Sequence, residues 1–514
     1  MEHPDQPRMI HQHHIAFAPF CYLIYTTAKY LRFDFESINL LTGMNIIAGM
    51  VFLTICYIIF KRLFPDFPFA GITGALITGF SYTFGTYFRN SDQYIIPMTI
   101  CAYILLRITR NINKSGTLTI TAMDWIIFFI AVLMHQMTLL CLPAIAYAEY
   151  MVLKKNRFPT IFMKIFILLF SLGIVYASVF WYTRPVPSFD SFCFWMKGYS
   201  KYNFWVFSNT HGTIQILKQS MLESLFSHKA LFAAPIERSS ILRLHDYART
   251  NGYESLGEWI GWILFVVVIV FIIDGFRIMK AHKRLNKLSK FLLIWFLPYF
   301  IFLQLFVPYQ CFYRLFYLLP LIIFIMASVS RIINNNVMRV MITFLLICFV
   351  SVNLIFGFIP ESRAGNNPYL IFSDDVKANS TKRDFFIMTD SKYCYGKYLR
   401  YFGQRDVAWL RRFAIEKYPD VTFEKVWIKS SEARKYLLNN YDNIYIPSDT
   451  GIPESDCLIL ILLTLKDDDP EFLLLFPQQL HVMDIKMFGD TIFYKLEIME
   501  YNPPSYQFDI PKNE

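Results

Sequence analysis

The sequence predicts a mainly α, polytopic membrane protein of about 9–11 transmembrane helices, followed by a small C-terminal α/β domain. Three observations carry this. Of the 514 residues, 55% are hydrophobic and 18% aromatic, and the mean hydropathy is +0.37, too apolar for an ordinary soluble protein. The apolar residues come in runs that approach or reach the roughly 20 residues a helix needs to cross a bilayer. Near Pro360 the composition shifts to short β-rich runs alternating with charged helical ones.

The expected spans are residues 40–60, 69–89, 93–108, 122–152, 159–181, 257–276, 290–307, 312–329 and 338–359. The fourth is too long for one crossing. His135-Gln136 interrupts it, so it reads as two short helices that enter and return. Residues 14–31 are amphipathic and interrupted by Pro19, which suits a helix lying along an interface. The net charge of +10 comes from short basic clusters between apolar runs, a pattern of cytoplasmic loops rather than of a nucleic-acid surface. These clusters are Lys61-Arg62, Arg107/Arg110/Lys114, Lys154/Lys155/Arg157, the group from Arg277 to Lys290, and Arg331/Arg339. Alternate loops then fall on the outer face only if the segment around His135 is a hairpin. That topology divides the chain into a membrane domain, 1–360, and an extracytoplasmic α/β domain, 361–514. The membrane domain carries outer-interface loops at 1–39, 89–94, 182–256 and 308–314.

In the C-terminal domain, DFFIMTD (384–390), FEKVWI (423–428), NIYIP (443–447), CLILILL (457–463) and TIFYKLEI (491–498) read as strands. SKYCYGKYLRYF and SSEARKYLLNNY read as helices between them. The nine cysteines lie mostly inside apolar runs and form no CxxC pair, so neither a zinc site nor a disulfide framework is indicated. The first ten residues are polar and no small-residue cleavage site follows, so no cleavable signal peptide is expected.

Four polar clusters fall where apolar runs emerge on the outer face, and polar groups there cost free energy unless they meet water or a ligand. The first is Arg89-Asn90-Ser91-Asp92-Gln93-Tyr94. Asp92 stands near the start of a helix, where the dipole favours a carboxylate, and a plain N-cap is the bland alternative. Functionally it could orient an acceptor hydroxyl, an amine or a divalent cation, with Arg89 as its partner or as a phosphate contact. The second is His11-Gln12-His13-His14, whose spacing matches no tight metal site. The third is His135-Gln136, either a satisfied helix terminus or part of a cavity wall. The fourth runs from Tyr309 to Arg314 and includes Tyr313. Arg314 is either a headgroup-snorkelling arginine or a clamp on a lipid phosphate. Jointly the four could line a cavity for a substrate with an apolar tail and a polar head.

HQHHIAFAPFCYLIY resembles the Asn-Pro-His-His-Leu-Leu-Tyr-type segment of bacterial GT-C membrane glycosyltransferases, the group that includes protein O-mannosyltransferases and aminoarabinose transferases. FSYTFGTYFRNSDQY is similar to that group's aromatic turn with its acidic residue, and MHQMTLLCLPAI to its His-Gln helix break. The resemblance implies a GT-C-like fold in the cytoplasmic membrane. It also implies transfer of a sugar from a polyprenyl-phosphate donor to a glycan, lipid or protein acceptor on the outer side. By position it makes Asp92 the acid of the second loop. Arg314 and His135 become phosphate or sugar contacts, and His13 and His14 lie by the acceptor or donor head. The family's first helix and leading carboxylate precede the His-His segment, where this chain has only Glu2 and Asp5. A truncated start is the expectation, with Asp5 as the alternative acid. Two other functions compete: a transporter or flippase of lipid-linked intermediates, which should show internal symmetry, and a non-catalytic envelope assembly protein.

Overall fold

The computed structural model describes residues 15–33, 37–90, 93–112, 116–153, 157–183, 189, 192–193, 210–227, 254–305, 311–359, 368–389, 395, 399, 403–410, 439–447, 459–463, 471–475, 480–488 and 491–498. Its contacts divide the chain into two compact units, Met1–Pro360 and Glu361–Glu514.

The first unit is helical. It contains α1 (Phe17–Tyr30), α2 (Ser37–Leu63), α3 (Ala70–Gly79), α4 (Tyr82–Tyr87), α5 (Ile95–Ile108), α6 (Ala122–Met134) and α7 (Leu142–Val152). These are followed by α8 (Arg157–Thr183), α9 (Thr210–Leu225), α10 (Glu254–Ala281), α11 (Asn286–Leu305), α12 (Leu315–Ile332) and α13 (Asn336–Asn353). Among the described residues six helices are long and apolar enough to cross a membrane: those over Asn39–Leu63, Arg157–Tyr182, Trp259–Ala281, Asn286–Leu303, Leu315–Ile332 and Asn336–Phe358. The remaining expected crossings correspond to shorter helices. The 69–89 run divides into α3 and α4. There the Ser81 hydroxyl donates to Thr78 O (2.6 Å) and that of Thr78 to Gly74 O (2.7 Å), local bonds that compete with a continuous helix. Helix α5 has 14 residues, about 21 Å at 1.5 Å per residue.

The 122–152 run breaks at His135. Helix α6 starts on a capping box, in which the Thr121 N–H and hydroxyl both donate to Asp124 (2.7 Å each), and Arg107 pairs with the same carboxylate. At the far end of α7, Glu149 accepts from Trp125 Nε1 on α6 (2.9 Å) and pairs with Lys164 on α8 (2.7 Å). The start of α6 and the end of α7 therefore lie together, as an out-and-back pair requires.

Helix α12 is the hub. In its most apolar stretch 78% of residues are buried, against 17% in each of α8, α10 and α13. It packs against α2, α3, α5, α10, α11 and α13. The approach of α10 requires a glycine, because a Cβ on Gly275 would fall 1.9 Å from the Phe324 carbonyl oxygen. Ser328 on α12 donates to Asp274 on α10 beside this contact (2.6 Å).

The second unit is a seven-stranded sheet with α14 (Pro368–Asn379). The strands are β1 (Asp384–Thr389), β2 (Asp406–Leu410), β3 (Asn443–Pro447), β4 (Ile459–Leu463), β5 (Glu471–Leu475), β6 (Leu480–Phe488) and β7 (Thr491–Ile498). Their order is β5-β4-β2-β1-β3-β7-β6. Central β1 is parallel to β2 and β3, with Phe385 opposite Asp406 and Asp384 opposite Asn443, and the outer pairs are antiparallel. Phe372 and Val376 of α14 pack on Phe386, Met388, Tyr445, Phe488 and Phe493. The expected strands at 384–390, 443–447, 457–463 and 491–498 are present, and β2, β5, β6 and α14 are additional. The FEKVWI segment and most of the two expected helices lie outside the described residues.

Candidate functional site

The break in the fourth apolar run sets the site. His135 adopts an extended backbone (φ −157°, ψ 117°) between α6 and a 3-10 turn, Gln136–Cys141. Its Nδ1 accepts from Met137 N (3.1 Å). That bond assigns the imidazole proton to Nε2, making His135 a neutral hydrogen-bond donor on its other side. The backbone freed by the break is satisfied locally: His135 N donates to Ala131 O (3.0 Å), Thr138 N to His135 O (3.0 Å), and Tyr299 Oη to Met137 O (2.8 Å). The His135 ring lies 5.0 Å from that of Tyr94, 6.1 Å from Tyr313 and 5.2 Å from Phe316. Tyr94, at the start of α5, meets Tyr313 edge-on at 5.7 Å.

Arg314 closes a 3-10 turn, Cys311–Arg314, immediately before α12. Its side chain is 1% exposed, and Nη1 donates to Glu223 Oε2 at 2.5 Å, with the Glu223 side chain 8% exposed. Glu223 belongs to α9, within the segment expected to be an interfacial loop. Its neighbours are tied down as well. Ser224 Oγ meets Tyr317 Oη (2.9 Å), and Thr83 Oγ1 donates to Glu223 O (3.1 Å). Asn353 at the end of α13 donates through Nδ2 to Phe80 O (2.9 Å) and Leu225 O (2.7 Å) and accepts at Oδ1 from Ser227 N (2.9 Å). The last turn of α9 is thus inserted among the membrane helices.

Of the residues singled out in the sequence, the structure brings Tyr94, His135 and Tyr313 together, with Arg314 in the same turn as Tyr313. Gln136 is half-buried at the start of the 3-10 turn. Arg89 Nε donates to Gly85 O (2.8 Å) and Nη1 to Phe358 O (3.2 Å), and the guanidinium lies 5.1 Å from the Phe358 ring. Asp92, Asp5, His13 and His14 lie outside the described residues. Glu223 was missed in the sequence. The available signal was a polar stripe at Ser220, Glu223 and Ser224, spaced i, i+3, i+4, which in an interfacial segment reads as a solvated face. Among the described residues no group of three or more His, Cys, Asp or Glu side chains could hold a metal ion.

An open apolar groove of about 570 Å³ lies between α1, α2 and α5, lined by Phe20, Ile24, Asn39, Leu40, Gly43, Met44, Ile47, Ala48 and Ile96. It is next to the aromatic cluster. Ala16 N donates to Leu133 O (2.9 Å), Phe17 and Cys21 pack on Met134, and Ile96 is two residues from Tyr94. Chemically, the arrangement offers a neutral imidazole donor and two phenols beside an apolar space, and a buried guanidinium paired with Glu223.

No protein-family model and no curated protein sequence matches the chain. Among solved structures it is similar to the crystal structure of the Archaeoglobus fulgidus oligosaccharyltransferase in complex with Zn and sulfate. The sequence identity is 12% and the TM-score 0.44, and the match covers 84% of this chain and 59% of that one.

Proposed function

We propose that this chain is a GT-C-type membrane glycosyltransferase that moves a sugar from a polyprenyl-phosphate donor to a glycan, lipid or protein acceptor on the outer side of the cytoplasmic membrane. The observation that carries the reading is the meeting of His135, Tyr94 and Tyr313 near an apolar groove, with Arg314, paired with Glu223, next to Tyr313 in the same 3-10 turn. A prenyl chain suits the groove, and its phosphate suits an arginine. Buried ion pairs seldom repay their desolvation in stability, so one placed among apolar helices points to a ligand.

In the proposed reaction the acceptor oxygen attacks the anomeric carbon as the bond from that carbon to the phosphate oxygen breaks. The configuration inverts, the acceptor proton passes to the Asp92 carboxylate, and polyprenyl phosphate leaves with the bonding pair. Charge grows on the phosphate, where Arg314 stabilises it more strongly than water would because its surroundings are apolar. His135 Nε2 and the Tyr94 and Tyr313 hydroxyls supply donors for the sugar or the phosphate.

The test is a mass-spectrometric comparison of envelope glycans and lipid-linked sugars. The strains are a deletion strain and the same strain carrying the wild-type chain, Asp92→Asn or Arg314→Met. Loss of one sugar on deletion, restored by the wild type and by neither variant, is expected. An unchanged glycan profile on deletion, with lipid-linked sugars redistributed across the membrane, would replace the transferase by a flippase.

A further inference from the structure

We propose that the bundle binds the headgroup of an anionic phospholipid in a basic notch where α2 and α5 end and α10 turns into α11, between Arg62, Arg110 and Lys283-Arg284. The notch lies at the far end of α5 from Tyr94, so the inference goes beyond the transferase reading and does not depend on it.

Three segments build the notch. Helix α2 ends on Lys61-Arg62-Leu63, and Arg62 Nη1 donates to Leu106 O (2.7 Å) near the end of α5. Arg110, two residues beyond α5, is exposed and within electrostatic range of Arg62. The turn between α10 and α11 packs against both segments. Arg284 Nη2 donates to Leu63 O (3.0 Å), and a Cβ on Gly116 would stand 3.4 Å from Arg284 Cα. Gly116 has φ +61°, a left-handed conformation that glycine adopts without strain, which lets the loop after α5 seat on that turn.

The charge of the notch is left uncompensated. Among the described residues no ion pair involves Lys61, Arg62, Arg110, Lys283, Arg284 or Lys287. Carboxylates that could balance them are held elsewhere: Asp124 by Thr121 and Arg107, Glu149 by Lys164, and Asp274 by Ser328 and Arg331. Asp66, on the turn after α2, is exposed and makes no ion pair among the described residues. Arg62 and Arg284 are half-buried against backbone carbonyls, and Arg284 Nε is buried with no hydrogen-bond partner among the described residues. Carbonyl dipoles do not cancel a full charge, and cations gathered at one place raise the local affinity for an anion. Lys61, Arg110 and Lys283 are exposed, so their donors are open to a phosphate arriving from outside.

Position selects a lipid as the carrier of that phosphate. Lys61 and Arg62 fall in the last turn of a helix long enough to span a bilayer, and Lys287 in the first turn of another, which is headgroup level. Tyr57 on α2 and Phe69 and Ile72 around the start of α3 are exposed beside them, and Gly71 of α3 packs directly on the Tyr57 ring. An acyl chain below the cations has this apolar surface to follow, whereas a soluble anion gains nothing from it.

The test uses the full chain in neutral detergent, with native mass spectrometry reading the binding of phosphatidylglycerol, and of zwitterionic phosphatidylcholine as the reference. Two double variants each remove two exposed cations: Arg110→Gln/Lys283→Gln in the notch, and Arg277→Gln/Lys290→Gln on α10 and α11 to either side of the turn. A cation at the membrane surface contributes about fivefold to the affinity for an anionic lipid, so the notch variant should bind its tightest phosphatidylglycerol roughly tenfold or more weakly than wild type, and the flanking variant within about twofold of it. Both should melt like wild type before lipid is added, because none of the four side chains makes a described hydrogen bond or ion pair. Equal weakening in the two variants means diffuse attraction to a basic face, and overturns the proposal. Equal affinity of wild type for the two lipids also overturns it. If inorganic phosphate binds wild type as tightly as phosphatidylglycerol does, the ligand is a free anion and the lipid assignment falls.

Discussion

Replacing Asn353 by leucine removes three contacts at once while nearly conserving volume. The residue is fully buried, and its amide joins the end of α3, the end of α9 and the end of α13 through Phe80 O, Leu225 O and Ser227 N. Polar contacts among membrane helices are worth about 0.6–1.5 kcal/mol each, so three come to roughly 2–4 kcal/mol. Two of the three hold the last turn of α9, and the loss should appear there as easier local opening rather than as global unfolding. Those two come to about 1.2–3 kcal/mol, so at about 1.4 kcal/mol per factor of ten the opening equilibrium around residues 220–227 should rise roughly 7-fold to 140-fold. Hydrogen exchange of the full chain in nanodiscs, read by mass spectrometry on peptides covering that segment, measures this. Unchanged protection at Ser227, or equal loss of protection throughout α12, would show that Asn353 does not hold the α9 turn in place.

His135→Asn retains an acceptor for Met137 N and should melt like the wild type, while transfer falls about a hundredfold because the Nε2 donor is lost. His135→Ala loses the cap as well and should cost about 1 kcal/mol more in thermal denaturation; equal stability of the two variants would contradict the role of Nδ1. Gly275→Ala puts a methyl group against the Phe324 carbonyl oxygen, which no rotamer change relieves, and should destabilise by about 3 kcal/mol. Gly173→Ala on α8 has nothing within 4 Å and should be neutral or slightly stabilising, so similar melting of the two would refute the account of the α10–α12 contact.

The apolar runs were legible because length and hydropathy suffice to find them, and Lys61 and Arg62 mark the end of α2 as surely in the sequence as in the fold. The division of 69–89 was not, because it depends on where the Ser81 and Thr78 hydroxyls point, and a threonine in an apolar run is equally compatible with an unbroken helix. Strand β7, TIFYKLEI, alternates clearly, whereas β6 carries a bulge between Val482 and Asp484 that shifts its period and hides it. Its apolar Met483, Ile485 and Met487 are moreover exposed, the reverse of what the pattern suggests. At the site, His135 and Arg314 stood out because each is costly in an apolar context. Glu223 did not, since a carboxylate in a polar segment is ordinary and its partner is 91 residues away.

The burial of α12 has a consequence for how the protein is made. The chain emerges N-terminus first, so α2, α3, α5, α10 and α11 are all synthesised before the helix they surround, and only α13 among its neighbours comes later. The nascent bundle therefore waits with its central slot unfilled. Arg314, at the threshold of α12, meets Glu223 only as that helix arrives. That buried pair is thereby among the last contacts to form, and a chain interrupted before residue 311 would present the quality-control machinery with an assembly that lacks its central helix.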